Sequence, residues 1–227
     1  MSKIIIVIGA YGSGKSEYAI NMAKERNQKN EVMLVDLDVV NPYFRSRDVR
    51  EEFAKEGIDV IAPDGEYSHA DLPMLSPRIM GAVQQYDKTV ILDVGGDPAG
   101  CRTLARYVPN IVNRGYEMHL VINTKRPFTA DQVEIENMIM MLESSSKLKV
   151  THLICNTNLM QHTDTAIVEE GVKIVSSVAK ATNLIFENYL VMQAFDAKIP
   201  DHLGGKKKKV LTYYLNKPWE MPIFRGI

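Results

Sequence analysis

Cysteine is scarce in this 227-residue chain: Cys101 and Cys155 are the only two, and they form no C-x-x-C pair. A disulfide framework and a cysteine zinc site are therefore not expected, and the usage fits a reducing compartment. Nothing approaches the roughly 18 unbroken apolar residues of a membrane span. The opening "MSKIIIVIGA" places one lysine before an apolar stretch, as a secretory leader does. That stretch is too short to cross a bilayer and runs straight into a glycine-rich segment that needs a strand before it. A cytoplasmic location without a transmembrane segment is expected. A dominant charge is missing as well. Lys and Arg total 27, Asp and Glu 28, for a net charge of −1. No global field would steer nucleic acid or an anionic membrane, so neither is expected as a partner.

What is present is ordinary for a globular protein, with 45% hydrophobic and 24% charged residues. A chain of this length fits one α/β domain over 1–227, with residues from about 200 onward as an irregular tail packed on it. Strand-like runs rich in Ile, Val and Leu occur at Ile4–Gly9, Val32–Asp36, Asp59–Ala62, Thr89–Val94, Met118–Asn123, Val150–Asn156 and Asn183–Val191. Helical patterns lie between them at Ser16–Lys24, Ser46–Lys55, Ala99–Tyr107, Ala130–Leu142 and Thr165–Ala181. The alternation predicts βαβ units: a doubly wound, mostly parallel sheet with helices on both faces, in three α/β/α layers. The segment Pro63–Pro77 is expected to be a loop.

Gly9-Ala10-Tyr11-Gly12-Ser13-Gly14-Lys15-Ser16 matches G-x-x-x-x-G-K-[ST] in full, between a strand-like and a helix-like run. Triphosphate oxygens must approach main-chain N–H groups closely, and a Cβ at Gly9 or Gly14 would obstruct them. The cradle is expected to involve Gly9, Tyr11, Gly12, Ser13, Gly14, Lys15, Ser16 and Glu17, with the following helix directing its positive end at the anion. Lys15 would reach the β- and γ-phosphates, and the Ser16 hydroxyl would serve Mg²⁺.

Three aspartates fall at the ends of later apolar runs. Asp36 and Asp38 stand in "VMLVDLDVVNPYF", and Asp93 in "TVILDVGGD". Ligands of such sheets bind outside the carboxyl ends of the strands, so all three carboxylates should share a rim with Lys15. Asp93 is the natural partner of Mg²⁺, with Asp38 a further candidate. Asp93-Val94-Gly95-Gly96 is D-x-x-G, whose glycine N–H can bond a γ-phosphate and relax on hydrolysis. Either Asp38 or Asp36 could orient the attacking water.

Taken together, "GAYGSGKS", the D-x-D of "VDLDVVNP" and "LDVGG" resemble the MinD/ParA/CobQ/CobB branch of phosphate-loop NTPases, within the signal-recognition/MinD (SIMIBI) class. The resemblance spans Ile4 to about Val191. It implies a Mg-ATP site built from Lys15, Ser16, Asp36 or Asp38, and Asp93 with Gly96. It also implies that an asparagine after a late strand reads adenine: Asn156 in "LICNTNL", or Asn123 in "VINTKRP". The family's signature lysine after the first glycine is replaced here by Ala10, so a MinD-type nucleotide-sandwich dimer is not implied, although a homodimer is compatible with the fold. The loop is closer to those of the HypB and UreG metallochaperone GTPases, yet "NTNL" lacks the N-K-x-D that reads guanine, which favours ATP. The resemblance implies an ATPase acting as a nucleotide-driven switch or accessory ATPase for an unidentified small-molecule or protein partner. The alternative it leaves is an ATP-dependent metabolic enzyme, either a ligase like CobB or dethiobiotin synthetase or a small-molecule kinase.

Other residues invite a role. Arg45 and Arg47 could meet a phosphate or an acidic substrate, or form the first turn of a surface helix. Tyr43 and Phe44 suit packing, and His69 an exposed loop. Asp97 is expected to cap the next helix and Cys101 to be a small buried thiol. The methionines of "NMIMML" suit a helix core. "GGKKKKV" is expected to be a solvated loop, and the tail around Trp219 to dock on the core.

Overall fold

The computed structural model describes residues 3–38, 46–61 and 77–215. Arg45, Tyr43, Phe44, His69, the tail around Trp219 and most of the Pro63–Pro77 segment lie outside them, as does the side chain of Arg47. The elements run β1 Ile4–Ile8, α1 Lys15–Asn27, β2 Val32–Leu37, α2 Ser46–Lys55, β3 Asp59–Ile61 and α3 Pro77–Val83. They continue with β4 Thr89–Val94, α4 Pro98–Arg102, α5 Val108–Arg114, β5 Tyr116–Ile122, α6 Gln132–Ser146 and β6 His152–Cys155. The last are α7 Thr165–Thr182, β7 Asn188–Met192, β8 His202–Leu203 and β9 Lys206–Leu211. One sheet has the order β3-β2-β4-β1-β5-β6-β7-β9-β8 and is parallel throughout except for β8 against β9.

β1 reads Ile-Ile-Ile-Val-Ile and every residue is buried, because helices cover both sheet faces. Successive side chains alternate between two cores. Ile4, Ile6 and Ile8 join Ile111, Ile135, Leu142 and Val175 of α5, α6 and α7. Ile5 and Val7 join Tyr18, Ala19 and Met22 of α1 and Phe53 of α2. β1 is central, flanked by β4 and β5, so the β1–α1 junction lies where chain connections diverge to opposite edges.

Three departures from the sequence reading have local causes. "GGKKKKV" is not a loop: Lys206–Leu211 is β9, in register with β7 from Asn188↔Lys207 to Met192↔Leu211. Three of its four lysines are tied down, and Lys207 stays exposed. Lys208 Nζ meets Asp196 Oδ1 at 2.6 Å and Asp201 Oδ1 at 2.8 Å, and Lys206 Nζ donates to the Phe186 carbonyl. The helix read over Ala99–Tyr107 is α4 followed by a 3₁₀ turn, Thr103–Arg106, and Val108-Pro109 then starts α5. Of the α6 methionines only Met138 is core; Met140 and Met141 face outward. Asp97 caps α4 as expected, accepting from the amides of Ala99 and Gly100. Cys101 is buried, and burial pushes its thiol up to about 12.

Candidate nucleotide site

The loop from Gly9 to Gly14 has the backbone its glycines demand. Gly12 and Gly14 sit at φ +75° and +85°, a region that favours glycine. At Gly9 a Cβ would meet the Val121 carbonyl oxygen at 2.4 Å and Ser13 Oγ at 2.5 Å. Gly14 precedes α1 with no side-chain cap, so the first amides of the helix lack an internal acceptor. Ser13 N donates to the Ala10 carbonyl at 3.0 Å and closes the turn.

Lys15 is buried and its Nζ lies 2.6 Å from Asp38 Oδ2. Burial alone would lower its pKa, but the carboxylates of Asp93, Asp38 and Asp36 outweigh that and raise it. Asp36 and Asp93 are direct register partners on β2 and β4, which explains why three carboxylates crowd one ammonium. Burial and the neighbouring Asp93 push Asp36 well above the usual carboxylate range, against the lowering effect of the Asp38 N–H, 3.0 Å from Asp36 Oδ1. Asp93 is fully buried and pushed up to about 6 by desolvation, with Lys15 and the Ser16 hydroxyl pulling the other way. Neither Asp93 oxygen reaches a hydrogen-bond partner at bonding distance among the described residues.

The D-x-x-G segment closes on the loop. A Cβ at Gly96 would lie 1.8 Å from the Gly9 carbonyl oxygen, so the two backbones are in direct contact. At Gly95 the corresponding atom would be 3.1 Å from Asp38 Oδ1. Asp38 thus stands between Lys15 and the D-x-x-G glycines.

Of the residues expected here, Lys15, Ser16, Asp36, Asp38, Asp93 and Gly96 converge at one place. Tyr11 is exposed at the loop tip. The Glu17 carboxylate is committed elsewhere: it accepts from the amides of Tyr214 and Leu215 at 2.8–3.2 Å. Asn156 reaches the loop from the end of β6, and its Nδ2 donates to the Ser13 carbonyl at 2.7 Å. Asn123 instead orders its own turn, accepting from Lys125 N and Asn158 N and donating to the Asn158 carbonyl. The sequence reading missed Arg126, whose guanidinium lies against Gly12: a Cβ there would be 3.0 Å from its Nε. No motif marks it; "NTKRP" places it after β5, and only the fold carries it across to the loop.

The chemistry of the donor set fits Mg²⁺. A hydroxyl and carboxylates are hard oxygen donors, and neither oxygen of the buried Asp93 carboxyl is engaged at bonding distance.

Solved structures share this architecture. FtsY from Mycoplasma mycoides aligns with a TM-score of 0.55 at 15% identity, over 82% of this chain and 59% of that one. A plasmid partition protein from Borrelia burgdorferi, bound to AMPPNP, aligns with 0.54 at 13% identity over 86% and 89%. The chain shares the fold of these two proteins. Chloroplast FtsY from Physcomitrella patens gives 0.55 at 15% identity, covering 83% of this chain and 58% of that one. The chain therefore spans under two thirds of the FtsY chains it matches. No protein-family model and no curated protein matches the sequence. No helix of the described residues is long and apolar enough to cross a membrane.

Proposed function

We propose that this protein is a cytoplasmic Mg²⁺-dependent ATPase that works as a nucleotide-driven switch on a protein or small-molecule partner. The observation that carries the reading is the contact chain Lys15–Asp38–Gly95, with Gly96 against Gly9. It ties the phosphate-binding lysine to the D-x-x-G segment through one carboxylate. A γ-phosphate arriving at Lys15 competes with Asp38 for the ammonium, so binding is coupled to the position of the D-x-x-G backbone.

In this reading the uncapped amides of the Gly9–Gly14 loop and α1 bind the phosphates, and Lys15 holds the β- and γ-oxygens. Asp38, released from Lys15, orients the water; Asp36, beside it, is the alternative. The water oxygen forms a bond to the γ-phosphorus as the bond to the bridging oxygen breaks and ADP leaves. Ser16 and Asp93, with Asp38 nearby, would hold Mg²⁺, which neutralises charge on the β- and γ-oxygens. Asn156 holds the loop through the Ser13 carbonyl.

Ala10 favours a second reading. It is buried in the core cluster at the place where MinD-type proteins carry the signature lysine. A metabolic ligase or small-molecule kinase needs no such lysine.

Calorimetry with ATP and the Lys15→Ala variant tests the site, with loss of binding expected; unchanged affinity defeats it. Sizing in ADP against AMPPNP separates the two readings. A nucleotide-dependent change in assembly supports the switch, and turnover stimulated by a small carboxylic acid supports the enzyme.

A further inference from the structure

Away from the nucleotide loop, three metal-ligating side chains meet on one face of the sheet. Glu117 and His119 are two apart on β5, so strand alternation puts them on the same face. His152 is the direct register partner of His119 on β6. One ligand atom from each residue lies within 4.8 Å of the other two, and the two imidazole centroids are 4.5 Å apart. We propose that Glu117, His119 and His152 form a binding site for a first-row divalent metal ion of the zinc class.

The donor set is two imidazoles and one carboxylate, which suits Zn²⁺, Co²⁺ or Fe²⁺ rather than the oxygen-seeking Mg²⁺. His119 Nε2 and Glu117 Oε2 are 3.3 Å apart. Zinc–ligand bonds of about 2.0–2.1 Å in a tetrahedron give an edge of about 3.3 Å, so this pair is already at coordinating separation. Only His152 has to close in.

Each ligand is held from behind, as metal ligands usually are. Thr151 Oγ1 accepts from Met118 N at 2.7 Å and donates its proton to the Met118 carbonyl at 3.1 Å. His152 Nδ1, 2.8 Å from that oxygen, can then donate to it, and in that tautomer the Nε2 lone pair is left for a metal. Tyr18 Oη lies 3.0 Å from His119 Nδ1 and can accept its proton, freeing His119 Nε2 in turn. Lys3 Nζ holds Glu117 Oε1 at 2.7 Å and leaves Oε2 facing His119. The three ligands line a cavity of about 370 Å³ that Glu187 and Asn188 also border, giving the ion an approach and room for water as a fourth ligand.

The site is distinct from the nucleotide loop. His119 is level with Val7 and Glu117 with Ile5, both before the end of β1. The proposal therefore does not depend on the ATPase reading.

The test uses the full chain without an affinity tag, stripped of metal and titrated with Zn²⁺ against a chromogenic chelator in excess Mg²⁺. One Zn²⁺ per chain is expected. His152→Asn and Glu117→Gln should each weaken binding by at least about 100-fold, and Tyr18→Phe by about 10–100-fold as loss of a ligand-orienting group. Co²⁺ should give the intense visible bands of a four-coordinate site, lost in His152→Asn. If the wild type binds no Zn²⁺, or if both ligand variants bind it unchanged, the assignment fails. Tyr18→Phe leaves the donor set intact, so it reads the site even where a ligand variant does not fold.

Discussion

The Lys15 ammonium and the Asp38 carboxylate lie 2.6 Å apart, with side chains 7% and 4% exposed. A buried ion pair of this kind is held against a desolvation cost. Asp38→Asn removes the bonded carboxylate but leaves Lys15 beside Asp93 and Asp36, so it should destabilise the nucleotide-free protein by about 1–3 kcal/mol, less than a stranded buried charge costs. Mg-AMPPNP should recover much of that loss, because the phosphate supplies the missing anion. If Asp38 also orients the water, turnover should fall by about 10²–10⁴-fold while nucleotide still binds. Thermal unfolding with and without analogue, together with phosphate release, reads both effects. A variant as stable as wild type without nucleotide would show that the pair contributes nothing.

Gly96 and Gly81 make a matched pair. A Cβ on Gly96 would be driven into the Gly9 carbonyl oxygen at 1.8 Å, a backbone contact that cannot swing aside. Gly96→Ala should push the D-x-x-G segment off the phosphate loop and weaken AMPPNP binding at least about tenfold. Gly81, exposed inside α3, has nothing within 4 Å of its Cβ position. Gly81→Ala should stabilise the protein by about 0.5–1 kcal/mol and leave nucleotide binding untouched. Calorimetric titration and chemical denaturation of both variants check this.

The contrast between these two glycines illustrates what a sequence discloses. The spacing Gly9…Gly14-Lys15-Ser16 needs only a local strand–turn–helix to be read, and β1 and α1 supply it. The parallel core strands were legible for the same reason: covered on both faces, they are apolar runs with no alternation to misread. What escaped was whatever depends on contacts between distant segments. Lys206–Lys209 is four charges in a row, which locally means solvent; β7 and the carboxylates of Asp196 and Asp201 make it a strand. Neither Arg126 nor the Glu117–His119–His152 cluster belongs to a motif: Arg126 meets Gly12 only because β5 pairs with β1, and the cluster exists only after β5 and β6 pair. Asn156 was expected to read adenine; its bond to the Ser13 carbonyl spans 143 positions and could not be read.

Glu17 links the phosphate-loop helix to the segment at 214–215, and its carboxyl titrates upward. Burial pushes it from 4.5 to about 7, against the lowering effect of the Leu215 and Tyr214 amides. The folded state therefore prefers the protonated form. Its favourable contribution is complete below the unfolded value near 4.5 and is lost as pH rises through about 7. Between pH 5 and 8 this one group should cost the wild type about 2 kcal/mol of stability. Glu17→Gln mimics the protonated form and should remove that part of the pH dependence. Urea unfolding of both proteins across this range is the measurement. Parallel curves would show that Glu17 titrates normally.

Asn156 offers a choice between two roles. Its Nδ2 is 2.7 Å from the Ser13 carbonyl oxygen, and the same nitrogen would lie 2.3 Å from a Cβ on Gly14. The carboxamide is wedged against the phosphate loop with one of its two N–H donors given to the Ser13 carbonyl. Asn156→Ala leaves a buried carbonyl without its partner, at a cost of about 1–3 kcal/mol, and frees the loop to move. Affinity for ATP should fall, and affinity for GTP should fall by the same factor, because loop geometry serves every triphosphate alike. An adenine-reading asparagine behaves differently: its loss removes a hydrogen bond made to one base and narrows the ATP-to-GTP ratio. Titrating both nucleotides against both proteins distinguishes the roles. A uniform loss makes Asn156 a positioning residue for the phosphates; a narrowed ratio assigns it to the base.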